Sequence, residues 1–217
     1  MSARYVVSIA SIGPFMVKGK QVVGNQIFHC IAVLLGVRPA ATQLSVPETE
    51  LLQRLASQSA EIAEIGVFEG ATSRRMIERM PAKGTMLAVD PFFAGRLGIA
   101  YGYWITRAQI RRALRPDVRV TIARNFSHDL APTCDGSFDL IFIDADHRYE
   151  AVKRDWKDWS AKVRIGGRIA LHDSQPMAGR CPETCGPVQL VRELGDSPPG
   201  FMRQEVQDTI TVFHRIS

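Results

Sequence analysis

The chain has 217 residues, a formal net charge of +5, 46% hydrophobic and 23% charged residues, which fits one soluble globular domain with a proper core. Much of the positive balance sits in Arg107, Arg111, Arg112 and Arg115, a helix face that is either solvated or turned to an acidic group; with no aromatic-interleaved basic motif and no zinc-finger spacing, no nucleic-acid partner is expected. Cys30, Cys134, Cys181 and Cys185 lack the two-residue spacing of redox and zinc motifs, so reduced thiols in a cytoplasmic protein are expected, with a 181–185 loop disulfide as the alternative.

Residues 5–17 are mostly apolar, and Ile27 to Val37 is an apolar, helix-like run. Both fall short of the roughly 18 residues that span a bilayer. One arginine ahead of the first run and Gly13-Pro14 inside it fit a signal peptide poorly. Residues 1–45 are therefore expected to form an arm, packed as a lid or as a subunit contact in a homodimer. Residues 46–217 are expected to form a single domain.

A helix is expected from Val46-Pro47-Glu48 through Leu51, Leu52 and Leu55, because proline and acids suit a first turn. Strands and helices then alternate. A strand near Glu61–Gly66 leads to a helix from Ala71 to Met80 and a strand over Thr85–Asp90. A longer segment, 91–117, carries a helix around Trp104–Leu114. Next come a strand at Val118–Ala123, a short helix near Ser127–Leu130, a strand at 138–144, a helix over Tyr149–Val163 and a strand at 167–172. A helix near Val188–Leu194, a turn at Pro198-Pro199-Gly200 and a strand near Asp208–Arg215 close the chain. Alternation at this spacing predicts an α/β fold: a Rossmann-like, doubly wound, mostly parallel sheet with helices on both faces.

The most telling stretch is Phe138-Asp139-Leu140-Ile141-Phe142-Ile143-Asp144-Ala145-Asp146-His147. An apolar run suited to a strand buried on both faces stops at two acids and a histidine. The strand at 167–172 ends at His172, with Asp173 and Ser174 after it. Carboxyl ends of parallel strands face the crevice where open α/β sheets bind ligands. Two neighbouring ends thus offer hard ligands for a metal and a titratable base.

On the other half, Glu64-Ile65-Gly66-Val67-Phe68-Glu69-Gly70-Ala71-Thr72-Ser73 runs from strand to helix through two glycines, which admit tight turns and close backbone approach to a ligand. The turn matches neither G-x-G-x-x-G nor the P-loop. Acids at Glu64 and Glu69 would repel a pyrophosphate and suit an ammonium or a sulfonium. Asp90, at the end of the second strand, stands where acids take ribose hydroxyls in doubly wound folds.

Together these segments resemble a class I S-adenosylmethionine (SAM)-dependent methyltransferase over roughly residues 60–215. Glu64 to Gly70 resembles the family's first motif, Val89-Asp90 its second, and Asn125-Phe126-Ser127-His128-Asp129 the segment that holds the adenine edge in catechol-type enzymes. Asp139 to Asp146 resembles the metal-bearing strand of the divalent-cation-dependent O-methyltransferases. Gly167 to Ser174 is similar to the branch that includes macrocin-type sugar O-methyltransferases. The resemblance implies SAM as cofactor, with Glu64, Gly66, Gly70 and Thr72 around the methionine part, Asp90 on the ribose, Ser127 and His128 along the adenine, and Asp146 beside the amino group. It implies Mg²⁺ or Mn²⁺ on Asp144 and Asp173, the third ligand being His172 or Ser174. His147 stands where catechol and caffeoyl-CoA enzymes carry a lysine, which favours a histidine general base.

The expected activity is methylation of a hydroxyl on a sugar or glycoside, the metal orienting and acidifying that hydroxyl. The expected partners are a small-molecule or oligosaccharide substrate, with no membrane span. Methylation of a catechol or other phenol is the alternative within enzymes. A non-catalytic SAM-binding protein has no use for Asp144, His147 and Asp173 together. An NAD-dependent enzyme is disfavoured by the missing G-x-G-x-x-G.

Overall fold

The structure is a computed structural model that describes residues 6–9, 23–95 and 97–217. The first apolar run of the expected arm lies largely outside the described residues. No helix among them is long and apolar enough to cross a membrane.

Eight strands form one sheet. In chain order they are β1 (Val6–Ile9), β2 (Glu61–Ile65), β3 (Thr85–Val89), β4 (Arg119–Arg124), β5 (Phe138–Ile143), β6 (Val163–Leu171), β7 (Phe201–Gln207) and β8 (Ile210–Arg215). Their spatial order is β1-β4-β3-β2-β5-β6-β8-β7. All pairs are parallel except those made by β8, which runs antiparallel to β6 and β7. The chain winds outward from β2 to β4 on one side and from β5 to β6 on the other. The switch point between β2 and β5 opens a crevice beyond the carboxyl ends of the strands.

The helices are α1 (Val23–Leu34), α2 (Val46–Ser57), α3 (Ala71–Ile77), α4 (Tyr101–Ala113), α5 (Ser127–Leu130), α6 (Tyr149–Ser160) and α7 (Gly186–Leu194). Helix α2 starts where a capping box closes it. The Ser45 side chain accepts from Glu48 N, the Glu48 carboxylate accepts from Ser45 N, and Pro47 fills the first turn. Leu51, Leu52 and Leu55 of α2 join Met76 and Ile77 of α3, Ile110 of α4, and Ile62 and Phe142 of the sheet in one core layer. Val152 and Trp159 of α6 and Leu190 and Val191 of α7 pack with Ile141, Ile143 and Ile169 in the layer on the other face. Cys30 and Val33 of α1 pack with Ile105 of α4, outside the main core.

Two helix ends fall short of expectation, and one strand was not expected. Helix α6 ends at Ser160, because Val163 already pairs with Phe138 and begins β6. Helix α3 stops at Ile77. Strand β7 has no signal in the sequence: Met202, Arg203 and Gln204 are exposed, and an edge strand with an exposed middle lacks the apolar alternation that marks a half-buried one.

Phe142 is fully buried at the centre of β5, and its ring centroid lies 6.1 Å from that of His172. It ties the core to the row of polar residues at the strand ends. Phe142→Ala is expected to cost about 3–5 kcal/mol of stability, read from the urea midpoint at unchanged slope. A loss under 1 kcal/mol would mean that this layer is loosely packed.

Candidate active site at the carboxyl ends of β2, β3, β5 and β6

The sheet's hydrogen bonding runs one residue past the strand ends. Gly66 N donates to Val89 O (2.9 Å), Asp90 N to Ala123 O (3.1 Å), Asp144 N to Ile65 O (2.8 Å) and His172 N to Ile143 O (3.0 Å). Asp90, Gly66, Asp144 and His172 therefore stand side by side in one row. A cleft of about 190 Å³ opens on it, lined by Glu64, Gly66, Phe68, Thr72, Asp144 and His147, with residues 41–43 contributing. A larger cavity, about 470 Å³, lies by α7 against Ser174, Gln175, Arg192 and Arg203 and holds none of the row. The chemistry-bearing groups face the smaller space.

The turn after β2 is built around three left-handed residues, Gly66 (φ +89°), Phe68 (φ +56°) and Gly70 (φ +71°). A Cβ on Gly66 would fall 2.1 Å from the carbonyl oxygen of Asp144, so glycine is required there. Phe68 is bulky and pays a conformational cost in that region. Asp90 holds it: Oδ2 accepts from Val67 N (2.9 Å) and Phe68 N (3.0 Å), and Oδ1 from Phe92 N (2.6 Å). Burial raises the pKa of Asp90 against these three bonds.

Glu64 is almost completely buried and accepts from the Ser73 hydroxyl. Burial pushes its pKa well above the usual range, the Ser73 bond opposes this, and the charges of Asp144 and Asp90 add to it. Glu69 is already spoken for. Its carboxylate meets His29 Nε2 at 2.9 and 3.0 Å and accepts from Ala41 N (2.6 Å). It anchors α1 and the following stretch to the glycine turn rather than facing the cleft.

On the other side of the cleft, titratable groups crowd together. Asp144 Oδ1 lies 2.8 Å from His172 Nδ1 and 3.8 Å from His147 Nε2. Asp173 Oδ2 lies 3.1 Å from His147 Nε2 and 3.8 Å from His172 Nδ1. Asp173 adopts φ +48°, a conformation aspartate tolerates better than most residues. Its Oδ1 meets Arg180 Nε (3.1 Å) and Thr209 Oγ1 (3.2 Å).

Glu48, fully buried, completes the cluster from α2. Oε1 accepts from Thr209 N (3.0 Å) and Thr209 Oγ1 (2.6 Å), and Oε2 from Ser45 N (2.8 Å) and Arg180 Nη1 (3.2 Å). Burial acts to raise its pKa, but the nearby His172 and the bonds from Thr209 and Ser45 outweigh that and hold it well below the usual range.

The hydrogen bond to Asp173 raises the pKa of His147 above its ordinary value, against partial burial. For His172 burial works against charge, while bonds to Asp144 and Glu48 would carry its pKa up to about 9. Arg180 Nη2 sits against His172 Nε2, however, and a protonated Nε2 has no lone pair to receive that donor. The guanidinium contact therefore favours the neutral ring with its proton on Nδ1, shared with Asp144.

Asp144, His147 and His172 each offer a donor atom within 4.8 Å of the others. Cis ligands of an ion with bonds of about 2.1 Å stand about 3 Å apart, so the set fits a single cation. Two imidazoles with carboxylates suit Mn²⁺ better than Mg²⁺. Of the expected ligands, Asp144 and His172 come together in this set; Asp173 stands next to it, with Oδ2 3.1 Å from His147 Nε2 and 3.8 Å from His172 Nδ1. Ser174 does not: its hydroxyl is buried against Leu171 O, Thr209 O and Thr211 Oγ1.

Glu64, Gly66 and Thr72 line the cleft. Gly70 holds the turn against α4, where a Cβ would lie 2.9 Å from Thr106 Cα. Ser127 donates to the buried Asp155. The His128 ring stacks on Phe126 at 5.4 Å. Asp146 is exposed and held by Arg148, whose N and Nε reach Oδ1 at 2.9 and 3.1 Å. Sequence reasoning missed Glu48, Arg180 and Thr209. Ser45-x-x-Glu48 is legible as a capping box, but nothing local says that its acid also faces the site.

No curated protein matches the chain in sequence. Among solved structures, the O-methyltransferase TomG from Streptomyces achromogenes, described in complex with SAM, is 18% identical and aligns over 88% of this chain and 90% of its own, with a TM-score of 0.59. The O-methyltransferase from Bacillus cereus, described in complex with SAH, is 18% identical over 88% and 91%, with a TM-score of 0.62. The methyltransferase PaMTH1 of Podospora anserina, SAH-bound, is 13% identical over 95% and 100%, with a TM-score of 0.63. These likenesses concern the fold. A family profile described as a methyltransferase domain matches residues 63–174, more than half of the chain and the span from β2 through the end of β6 with Asp144, His147, His172 and Asp173. The chain therefore belongs to the methyltransferase-domain family.

Proposed function

We propose that this protein is a SAM-dependent O-methyltransferase acting on a hydroxyl of a sugar or glycoside, with a divalent cation at Asp144, Asp173 and His172 and with His147 as general base. The observation that carries the reading is the meeting, at one end of the sheet, of a glycine turn with Glu64 and Asp90 and a cluster of two imidazoles and two carboxylates. Structural neighbours described as O-methyltransferases and bound to SAM or SAH support it.

When bound, the cofactor supplies an electrophilic methyl group on a sulfonium, and the cation orients and acidifies the accepting hydroxyl. The chain does the rest. Gly66 and Gly70 let the backbone come close to the methionine part, beside Thr72. Glu64 is the buried acid whose ionised form an arriving ammonium or sulfonium favours, since a nearby cation stabilises the carboxylate. Asp90 offers its remaining acceptor capacity to the ribose while bracing the turn. Ser127 and His128 flank the adenine, Asp155 and Phe126 fixing them from behind. Asp146 stands beside the amino group, its carboxylate also held by Arg148.

His147 Nε2 accepts the hydroxyl proton, and Asp173 steadies the imidazolium that results. His147→Ala is expected to lower turnover by about 10²- to 10⁴-fold with SAM affinity unchanged by calorimetry. Because the Asp173 bond raises the His147 pKa above the ordinary 6.5, the base is protonated and lost at a higher pH than for a free imidazole. Wild-type turnover should fall as pH drops through that raised value, and the variant should lack this acidic limb. Near-wild-type turnover at neutral pH would remove His147 from the chemistry. A second reading makes His147 a metal ligand, favoured by its donor atom lying in the same group as those of Asp144 and His172; in that case His147→Ala loses Mn²⁺ affinity together with turnover.

Asp90→Ala is expected to weaken SAM binding by about ten-fold or more, as loss of charge-assisted hydrogen bonds does, with an unchanged circular dichroism spectrum. Full affinity in a folded variant would overturn the cofactor placement. Mass-spectrometric product analysis with SAM, Mn²⁺ or Mg²⁺ and parallel panels of glycosides and catechols tests the substrate. Methylation of catechols alone would replace the sugar reading.

A further inference from the structure

Arg180 lies beyond the residues matched by the methyltransferase profile and has no part in the reaction described above. It belongs to the segment between β6 and α7, which closes on itself through the bridge of Met177 with Cys181. Its guanidinium is spread over three residues of the site. Nε is 3.1 Å from Asp173 Oδ1, Nη1 is 3.2 Å from Glu48 Oε2, and Nη2 meets His172 Nε2.

The contacts have a direction. Asp173 gives Arg180 one oxygen and turns the other to His147. His172 gives Arg180 one nitrogen and turns the other to Asp144. Two residues that hold the cation in the reading above are thus gripped from behind by a fixed positive charge. The Arg180 side chain is only 22% exposed, so solvent and salt screen that charge weakly.

We propose that Arg180 is a built-in antagonist of the divalent cation: its charge and its grip on Asp173 and His172 weaken the metal site, so that metal binding and release of the Arg180 segment are linked. This rests on the metal reading and adds to it a residue that sets the site's affinity. Two effects act in the same direction. A guanidinium set against the outer face of two ligands repels a second cation on their inner face. A donor placed on His172 Nε2 also keeps the ring's proton on Nδ1, the atom that a metal needs free. Glu48 Oε2, 3.7 Å from His172 Nε2, is the acceptor that would take an Nε2 proton once Arg180 withdraws, giving the carboxylate–histidine support common behind metal ligands. Linkage is reciprocal, so whatever weakens the metal when Arg180 is seated unseats Arg180 when the metal binds.

The test is Mn²⁺ binding by the full chain without cofactor, followed by calorimetry and by the loss of free-ion paramagnetic resonance signal. Arg180→Ala should bind Mn²⁺ about ten-fold tighter than wild type. Arg180→Lys keeps the charge and should stay within about three-fold of wild type. Thermal melts check that both variants are folded. In wild type, Mn²⁺ should raise amide hydrogen exchange over residues 177–181. Equal or weaker binding by Arg180→Ala would overturn the antagonism and leave the metal site standing. Tightening by Arg180→Lys as large as that by Arg180→Ala would also overturn it, because the charge would not be the agent. Absence of Mn²⁺ binding in all three proteins would overturn both the antagonism and the metal reading.

Discussion

The site depends on how closely the ends of β2 and β5 can approach. At Gly66 the backbone comes so near Asp144 that a methyl group would sit 2.1 Å from its carbonyl oxygen and 2.8 Å from Ala145 Cα. Only a residue without Cβ, free to adopt φ +89°, permits this. The approach lets the ladder continue past the strands, with Asp144 N on Ile65 O and His172 N on Ile143 O. Because the register pairs Ile143 with Leu171, Asp144 and His172 are neighbours by construction. Their 2.8 Å contact is a consequence of the sheet rather than of any loop. Phe68, held in a left-handed conformation by Asp90, shows the same turn storing local strain where it faces the cleft.

Charge balance is the second constraint. Glu48, Asp144 and Asp173 face one another across a largely buried volume, with His147, His172 and Arg180 between them. Unpaired, such charges would cost several kcal/mol each to bury. Here each carboxylate has a cationic or N–H partner, and Glu48 is met by four donors. The pairing joins parts that are distant in sequence: the cap of α2, the end of β6, the segment before α7 and the turn between β7 and β8 through Thr209. Glu64 has a different environment. With burial and two neighbouring acids raising its pKa, it is poised to respond to an arriving positive charge. Two buried carboxylates are thus set apart by their surroundings, the pKa of Glu48 pulled down by its donors and that of Glu64 pushed up by burial and neighbouring acids.

The alternation of strands and helices was legible because apolar runs buried on both faces look unlike amphipathic helices, and β2, β3, β5 and α2 stand close to where their patterns put them. Strand β7 was not, since an edge strand with Met202, Arg203 and Gln204 exposed has no pattern to read. The end of α6 was misplaced by three residues, because pairing of Val163 with Phe138 is a long-range event. At the site, the engagement of Asp146 by Arg148, two residues on, is a pairing that the strand pattern does not announce.

What the sequence determined by itself was the list of chemical groups at the strand ends: Gly66 and Gly70 in the turn, Asp90 after β3, Asp144 and His147 after β5, His172 and Asp173 after β6. Each follows from local periodicity, since an apolar strand in an open parallel sheet must deliver its last residues to the crevice. What only the tertiary structure decided was how those groups are shared. Glu69 went to His29 and the N-terminal segment, Asp146 to Arg148, and Asp173 was divided between His147 and Arg180. Glu48 and Arg180, separated by 132 residues, entered the cluster only because α2 and the segment before α7 pack against the same end of the sheet. Hydrogen bonds and ion pairs are decided by distances of about 3 Å, and one-dimensional spacing carries no such information between distant elements.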